Sequence, residues 1–119
     1  MEVVTSKSGT IRIIDDPIKS AEEAFSPTKL NQVWQYYTGT FLSRQSGKHI
    51  DIINHTRWAD KDLCGRLLAL QPHKWYVFKK EAYDKETDTM LCPDLLSKED
   101  YEDIRETMIP EIFYANYHQ

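Results

Sequence analysis

Apolar residues fall along this chain in short clusters whose spacing alternates between the periods of strands and helices. The first cluster is Ile11-Arg12-Ile13-Ile14, β-branched and stopped by Asp15-Asp16-Pro17. It predicts a short strand buried on both faces, and Pro17 forbids its continuation. Ser20-Ala21-Glu22-Glu23-Ala24-Phe25 reads as a short helical patch. Ser26-Pro27 then supplies an N-cap with proline at the first helical position. Leu30, Val33, Trp34, Tyr37 and Phe41 recur at three- and four-residue steps, predicting one apolar face of a long helix with Gly47 as its stop.

Ile50-Asp51-Ile52-Ile53-Asn54 predicts a second strand. Asp60 is the expected cap of a helix facing inward through Leu63, Leu67 and Leu70 and closed by Pro72. Gly65 inside that helix costs about 1 kcal/mol against alanine, so it marks a place of close packing. Trp75-Tyr76-Val77-Phe78 predicts a third strand, followed by a polar turn over residues 84–88. Ser97 with Asp100 has capping-box spacing and opens a helix to about Met108, and Pro110 begins a last helix ending at Tyr117. Strand, helix, strand, helix, strand is the grammar of a parallel sheet with right-handed crossovers. The expected fold is therefore α/β, a small and mainly parallel sheet flanked by helices, with further helices at the C-terminal end. With no repeat and no low-complexity tract, residues 1–119 are taken as one domain.

Composition narrows the function. Of 119 residues 40% are hydrophobic and 29% charged, which is globular rather than disordered. No apolar run reaches the roughly 18 residues of a membrane span, and the first residues lack the pattern of a secretory signal. The formal net charge of -4 argues against autonomous, tight grip on a phosphate backbone. Cys64 and Cys92 have no second pair near them, so they read as reduced thiols rather than a zinc knuckle or a disulfide framework. His49, His55, His73 and His118 show no metal-ligand spacing. Trp34, Tyr37 and Phe41 follow helical spacing, so they are expected in a core rather than on a base-stacking platform. Trp58 and Trp75 are expected beside the sheet, and Tyr101, Tyr114 and Tyr117 between the C-terminal helices.

The candidate chemistry sits at the strand ends. Asp15 and Asp16 close the first strand, where a parallel sheet opens its ligand crevice. A carboxylate there can hold Mg²⁺ bridging phosphate oxygens, and its neighbour, pointing elsewhere, can orient or deprotonate water. An Asp-Asp-Pro turn after any strand also serves plain capping. The second strand ends in Asn54-His55-Thr56-Arg57, where an amide, a hydroxyl or a guanidinium can register a phosphate.

Together "IRIIDDPIKSAEEAFS", "IDIINHTRWADKDLCGRLLA" and "LCPDLLSKEDYEDIRETMIPEIFYANYHQ" resemble the ATPase module of the phage terminase large subunit, the motor and nuclease that packages viral DNA. The resemblance covers nearly the whole chain and implies a P-loop NTPase-like, three-layer fragment: the C-terminal half of that module, from Walker B to the coupling motif. By the resemblance, Asp15 matches the Walker B magnesium aspartate, and Asp16 takes the slot of the catalytic acid, where glutamate is more usual. Asn54, His55 and Thr56 fall on the coupling motif, with Thr56 the best-matched member and Arg57 beside it as a charge sensor. Asp60 and Asp62 match the pattern too, though capping the helix that begins near Leu63 explains them better.

A Walker A loop is not found. Gly39 and Gly47 with Lys48 imitate one, but seven residues separate the glycines where four are required, and His49 follows the lysine. The resemblance places the loop upstream and the nuclease domain downstream. It implies Mg²⁺ and ATP as cofactors of the full-length motor, with neither bound by this chain alone. The implied partners are the rest of the large subunit, the small terminase subunit, the portal and, in the assembled motor only, double-stranded DNA. No membrane is involved, and the implied setting is the host-cell cytoplasm of a phage or prophage. Two rival readings come from other classes. One is a small metal-dependent nuclease using Asp15, Asp16, Asp51 and Asp60, in which Asp51 stands roughly 10 Å back along its strand from Asn54. The other is a non-enzymatic assembly module that self-associates through open sheet edges.

Overall fold

The computed structural model describes residues 2–4, 11–44 and 47–118. Where the sequence suggests one domain, the chain divides into two compact units, Met1–Trp75 and Tyr76–Gln119.

The first unit is built on a three-stranded sheet in the order β1 (Glu2–Val4), β2 (Ile11–Asp15), β3 (Ile50–Asn54). β2 and β3 run parallel in a register that pairs Ile11 with Ile50 and Asp15 with Asn54. β1 runs antiparallel to β2, pairing Glu2 with Asp15, and its three residues carry no pattern that the sequence could announce. The parallel pairing requires the chain to cross over, and it does so through α1 (Ala21–Ala24) and α2 (Pro27–Tyr36). Ser20 and Ser26 cap these two helices by accepting the Glu23 and Lys29 backbone N–H groups.

The expected long helix does not run unbroken towards Gly47. After Tyr36 it widens into a π-helical turn, Tyr37–Phe41, and tightens into a 3₁₀ turn, Leu42–Arg44. The Thr38 hydroxyl donates to the Trp34 carbonyl at 2.9 Å, which also accepts the Tyr37 N–H. The detour still stacks Trp34, Tyr37 and Phe41 in sequence, with centroids 5.9 and 5.4 Å apart, so the core assignment of these rings holds.

α3 (Leu63–Leu70) follows β3. Its cap is Asp62, whose carboxylate accepts the Gly65 N–H, and not Asp60, which is exposed. Leu63 and Leu67 are buried but Leu70 is 67% exposed, so the inward face is one turn shorter than the leucine spacing suggests. The core is Ile14, Ile18, Ala24, Val33, Tyr37, Phe41, Leu63 and Leu67, with Trp58 and Trp75 packed against it as expected. All of it lies on one face of the sheet. On the other face Ile11, Ile50 and Ile52 are 56%, 58% and 47% exposed. Among the described residues, then, the strands are buried on one side only, and the helices form one layer rather than two.

Trp75–Phe78 is not a strand. Residues 75–80 have no regular structure, and Tyr76 and Phe78 are 91% and 77% exposed. Their composition suits a strand, but a strand forms only against a partner.

The second unit holds a hairpin, β4 (Tyr83–Asp84) with β5 (Thr89–Met90), and two helices, α4 (Lys98–Thr107) and α5 (Pro110–Tyr117). Ser97 caps α4 by accepting the Asp100 N–H, as its spacing predicts. Tyr101, 2% exposed, centres a cluster with Tyr83, Phe113, Tyr117 and His118, and its hydroxyl shares a 2.5 Å hydrogen bond with His118 Nε2. The whole is a mixture of helix and strand with a two-strand parallel core, an α/β arrangement in the coarse sense. No described helix is long and apolar enough to cross a membrane.

Candidate functional site

The parallel register brings the ends of β2 and β3 to one mouth, and three of the six sequence-predicted site residues, Asp15, Asp16 and Asn54, meet there in direct contact. Asp15 and Asn54 are paired across the strands, and the Asn54 amide donates to Asp15 Oδ1 at 2.8 Å. The next residue, Asp16, donates its N–H to the Asn54 carbonyl at 2.8 Å, adding one rung beyond the ladder. To make that rung and turn into the buried Pro17, Asp16 adopts φ 48°, a left-handed conformation that aspartate tolerates better than most residues. One carboxylate oxygen of Asp16 is buried and has no hydrogen-bond partner among the described residues.

His55 follows Asn54. Its side chain is 1% exposed, and its Nε2 stands 3.9 Å from Asp62 Oδ2. Neither ring nitrogen has a partner of hydrogen-bond geometry among the described residues. Burial, above all, lowers its pKa from the usual histidine value. The Asp62 charge, the nearby Thr56 backbone and the Asp16 charge oppose that shift, while the Arg57 charge adds to it. Thr56 is half-buried in the same turn.

Arg57 does not stand free at the mouth as a sensor would. Its Nε donates to both oxygens of Asp62, at 3.0 and 2.9 Å, with the side chain 30% exposed. Asp62 is fully buried, and Oδ1 also accepts the Gly65 N–H at 2.8 Å. A single carboxylate thus caps α3, anchors Arg57 and faces His55. Gly65 is what lets the turn come so close: a Cβ there would lie 1.9 Å from the Asp60 carbonyl oxygen and 3.0 Å from Arg57 Nη2.

A second ion pair lies behind the mouth. Arg12 and Asp51 are in register across β2 and β3, joined by two contacts of 2.7 Å. Arg12 also donates to the Phe41 carbonyl at 2.9 Å and sits 4.3 Å above the Phe41 ring. Asp51 is therefore committed to the core side, three residues back from Asn54. No three His, Cys, Asp or Glu side chains among the described residues come together as metal ligands, and Asp60 does not join Asp15 and Asp16. The sequence carried a sign of the Arg12–Asp51 pair that periodicity overlooks, since the second position of each strand is charged, with opposite sign in the two. Asp62 likewise stands three residues before Gly65, at cap spacing, yet nothing in the sequence marks it as fully buried.

The donor chemistry at the mouth fits a hard cation. Asp15 offers one oxygen that takes no hydrogen bond among the described residues, and Mg²⁺ is commonly held by one or two carboxylates with waters and phosphates completing its shell. The phosphate side does not fit as well, because the sequence holds no glycine-rich Lys-Ser/Thr loop. The cavity of about 380 Å³ in the second unit, lined among others by Lys79, Lys80, Tyr83 and Met90, involves none of these site residues.

Compared with protein-family models, with curated proteins and with solved structures, the chain finds no match in any of the three.

Proposed function

We propose that this chain is part of a nucleotide-hydrolysing motor of the terminase large-subunit kind, supplying the Walker B acids and the coupling turn. The observation that carries the reading is the register of β2 with β3, which sets Asp15 and Asp16 beside Asn54 and the turn through Arg57 at one strand mouth. Asp15 would hold the Mg²⁺ of an Mg–ATP substrate, whose chemistry is to neutralise charge on the phosphates. Asp16 would orient the attacking water, with its buried, unpartnered oxygen as the group available for that task. Asn54 ties the metal acid to the coupling turn, so a shift in one strand end is felt by the other. P-loop NTPase-like topology, contact with double-stranded DNA, and assembly with the portal and the small subunit belong to this reading as its consequences.

Alone, the chain is expected to turn over no ATP, since the backbone nest and lysine that preorganise the phosphates are not in its sequence. The test is calorimetry with ATP and Mg²⁺, with and without a P-loop half of a terminase ATPase module supplied in trans. The reading expects binding only in the mixture, and its loss with Asp15→Asn. Magnesium-dependent hydrolysis by the chain alone, above an Asp16→Asn control, contradicts the expected inactivity. Binding in the mixture that ignores Asp15→Asn contradicts the site.

A second reading rests on a different observation. Ile11, Ile50 and Ile52 expose one sheet face, and β3 is one of the two edge strands among the described residues. Such an edge and face suit a non-enzymatic module that pairs with a second copy of itself. Sedimentation over a range of concentrations tests it: a monomer throughout removes this reading and leaves the first untouched.

A further inference from the structure

A buried carboxylate needs a counter-ion, and Asp62 has two basic side chains within reach. Arg57 Nε holds both of its oxygens at 3.0 and 2.9 Å, while His55 Nε2 stands 3.9 Å from Oδ2 with no hydrogen bond of its own among the described residues. Arg57 is 30% exposed, so it can swing towards solvent, whereas the side chains of Asp62 and His55 are 0% and 1% exposed and cannot. Removing one partner of a buried ion pair leaves an uncompensated charge, which a protein avoids by moving a proton where one is available. The Gly65 N–H would remain on Asp62, but a neutral donor does not balance its charge.

We infer that Asp62 is a shared counter-ion, held by Arg57 in the arrangement seen and by a protonated His55 when Arg57 is drawn away, so that displacing Arg57 makes the turn take up one proton at His55 Nε2. The proton comes from solvent and returns to it when Arg57 does. The charged groups facing His55 are Asp62 from the cap of α3, Arg57 from its own turn and Asp16 from the end of β2. Among these charges both acids favour the imidazolium and Arg57 joins burial in opposing it, so loss of Arg57 acts in one direction. Any anion that pulls the guanidinium outward sets the same exchange going. The inference goes beyond the motor reading and does not depend on it.

Histidine Cε1–H signals followed by NMR against pH in the whole chain test this. Arg57→Gln is expected to raise the His55 midpoint by at least about one pH unit, leaving His49, His73 and His118 as internal references. Arg57→Lys, which keeps a cation beside Asp62, is expected to restore the original midpoint. In an Asp62→Asn background, Arg57→Gln is expected to move His55 by less than half as much, because the shared carboxylate is gone. An unchanged midpoint in Arg57→Gln, or an equal shift in both backgrounds, overturns the inference. Should Arg57→Gln be unfolded at neutral pH, tryptophan fluorescence is expected to show it refolding near about pH 5, where histidine can supply the missing charge. A variant unfolded at both pH values overturns the inference as well.

Discussion

Replacing Gly65 by alanine separates two forces that act in opposite directions at one atom. In an ordinary exposed helix the change gains about 1 kcal/mol, because alanine restricts the unfolded chain and glycine does not. Here the new methyl would sit 1.9 Å from the Asp60 carbonyl oxygen and 2.9 Å from its carbonyl carbon, about 1.5 Å short of ordinary contact. The obstacle is backbone, so no side-chain rotation relieves it. Either α3 or the turn through Asp60 must move, and that turn carries Asp62, whose carboxylate caps the helix and binds Arg57. Overpacking of this kind costs about 1–3 kcal/mol, and disturbing the cap adds about 1 kcal/mol.

The net expectation for Gly65→Ala is a loss of about 2 kcal/mol, or about 1 M in the urea midpoint of a domain this small. Gly39→Ala is the control: it also lies in a helical turn, but a Cβ there meets nothing within 4 Å, so it should be neutral or slightly stabilising. Urea unfolding followed by tryptophan fluorescence is the assay, since Trp34, Trp58 and Trp75 all belong to the first unit and report on it alone. A Gly65→Ala protein as stable as Gly39→Ala refutes the close approach and the shared turn built on it.

The Arg12–Asp51 pair predicts that Asp51→Asn, which strands a guanidinium 1% exposed, costs about 3 kcal/mol, while the double change Arg12→Met with Asp51→Leu costs less than that single one; the same urea assay decides. Asp16 at φ 48° predicts that Asp16→Gly is more stable than Asp16→Ala by about 1 kcal/mol in the same assay. Burial pushes the Cys64 thiol up to about 11, so at pH 8 a disulfide-exchange reagent should titrate the exposed Cys92 quickly and Cys64 only after urea is added. His55 is held below the ordinary histidine value when folded, so the unfolded chain binds the extra proton first. Stability should therefore fall as pH drops from the unfolded value of about 6.5 towards the folded one, and urea midpoints that stay flat through that window contradict it.

Much of the fold was legible because local signals decided it. Ser26 and Ser97 cap the helices their spacing assigns to them, β3 has the limits read from its apolar run, and Pro110 opens the last helix. What failed depended on partners. Trp75–Phe78 has a strand's composition and nothing to pair with among the described residues, and β1 has a partner but no composition to betray it. The π-helical turn was hidden because its inward residues keep a four-residue step whichever way the backbone winds. At the mouth, the juxtaposition of Asp15 with Asn54 follows from parallel pairing and could be foreseen. The commitment of Arg57 to Asp62 could not, because it depends on how near Gly65 lets the turn approach α3.

The isoleucine pattern of β2 gives this last contrast a meaning. Ile14 is fully buried against the helices, while Ile11 on the opposite face is 56% exposed. On β3, Ile53 packs against the core while Ile50 and Ile52 are 58% and 47% exposed. These strands are written for burial on both sides, as strands of parallel sheets usually are, yet the described residues cover one. The proposed motor function would account for the discrepancy, because a nucleotide-binding sheet has helices on both faces and more strands than these. It follows that Ile52→Thr should change the stability of this chain alone by no more than about 0.5 kcal/mol, as at any exposed position. In a mixture with a P-loop half, the same substitution should weaken ATP binding even though residue 52 is two positions from the mouth. A full-sized loss of stability in the chain alone would mean that the face is already covered, and the appeal to a missing layer would then have no basis.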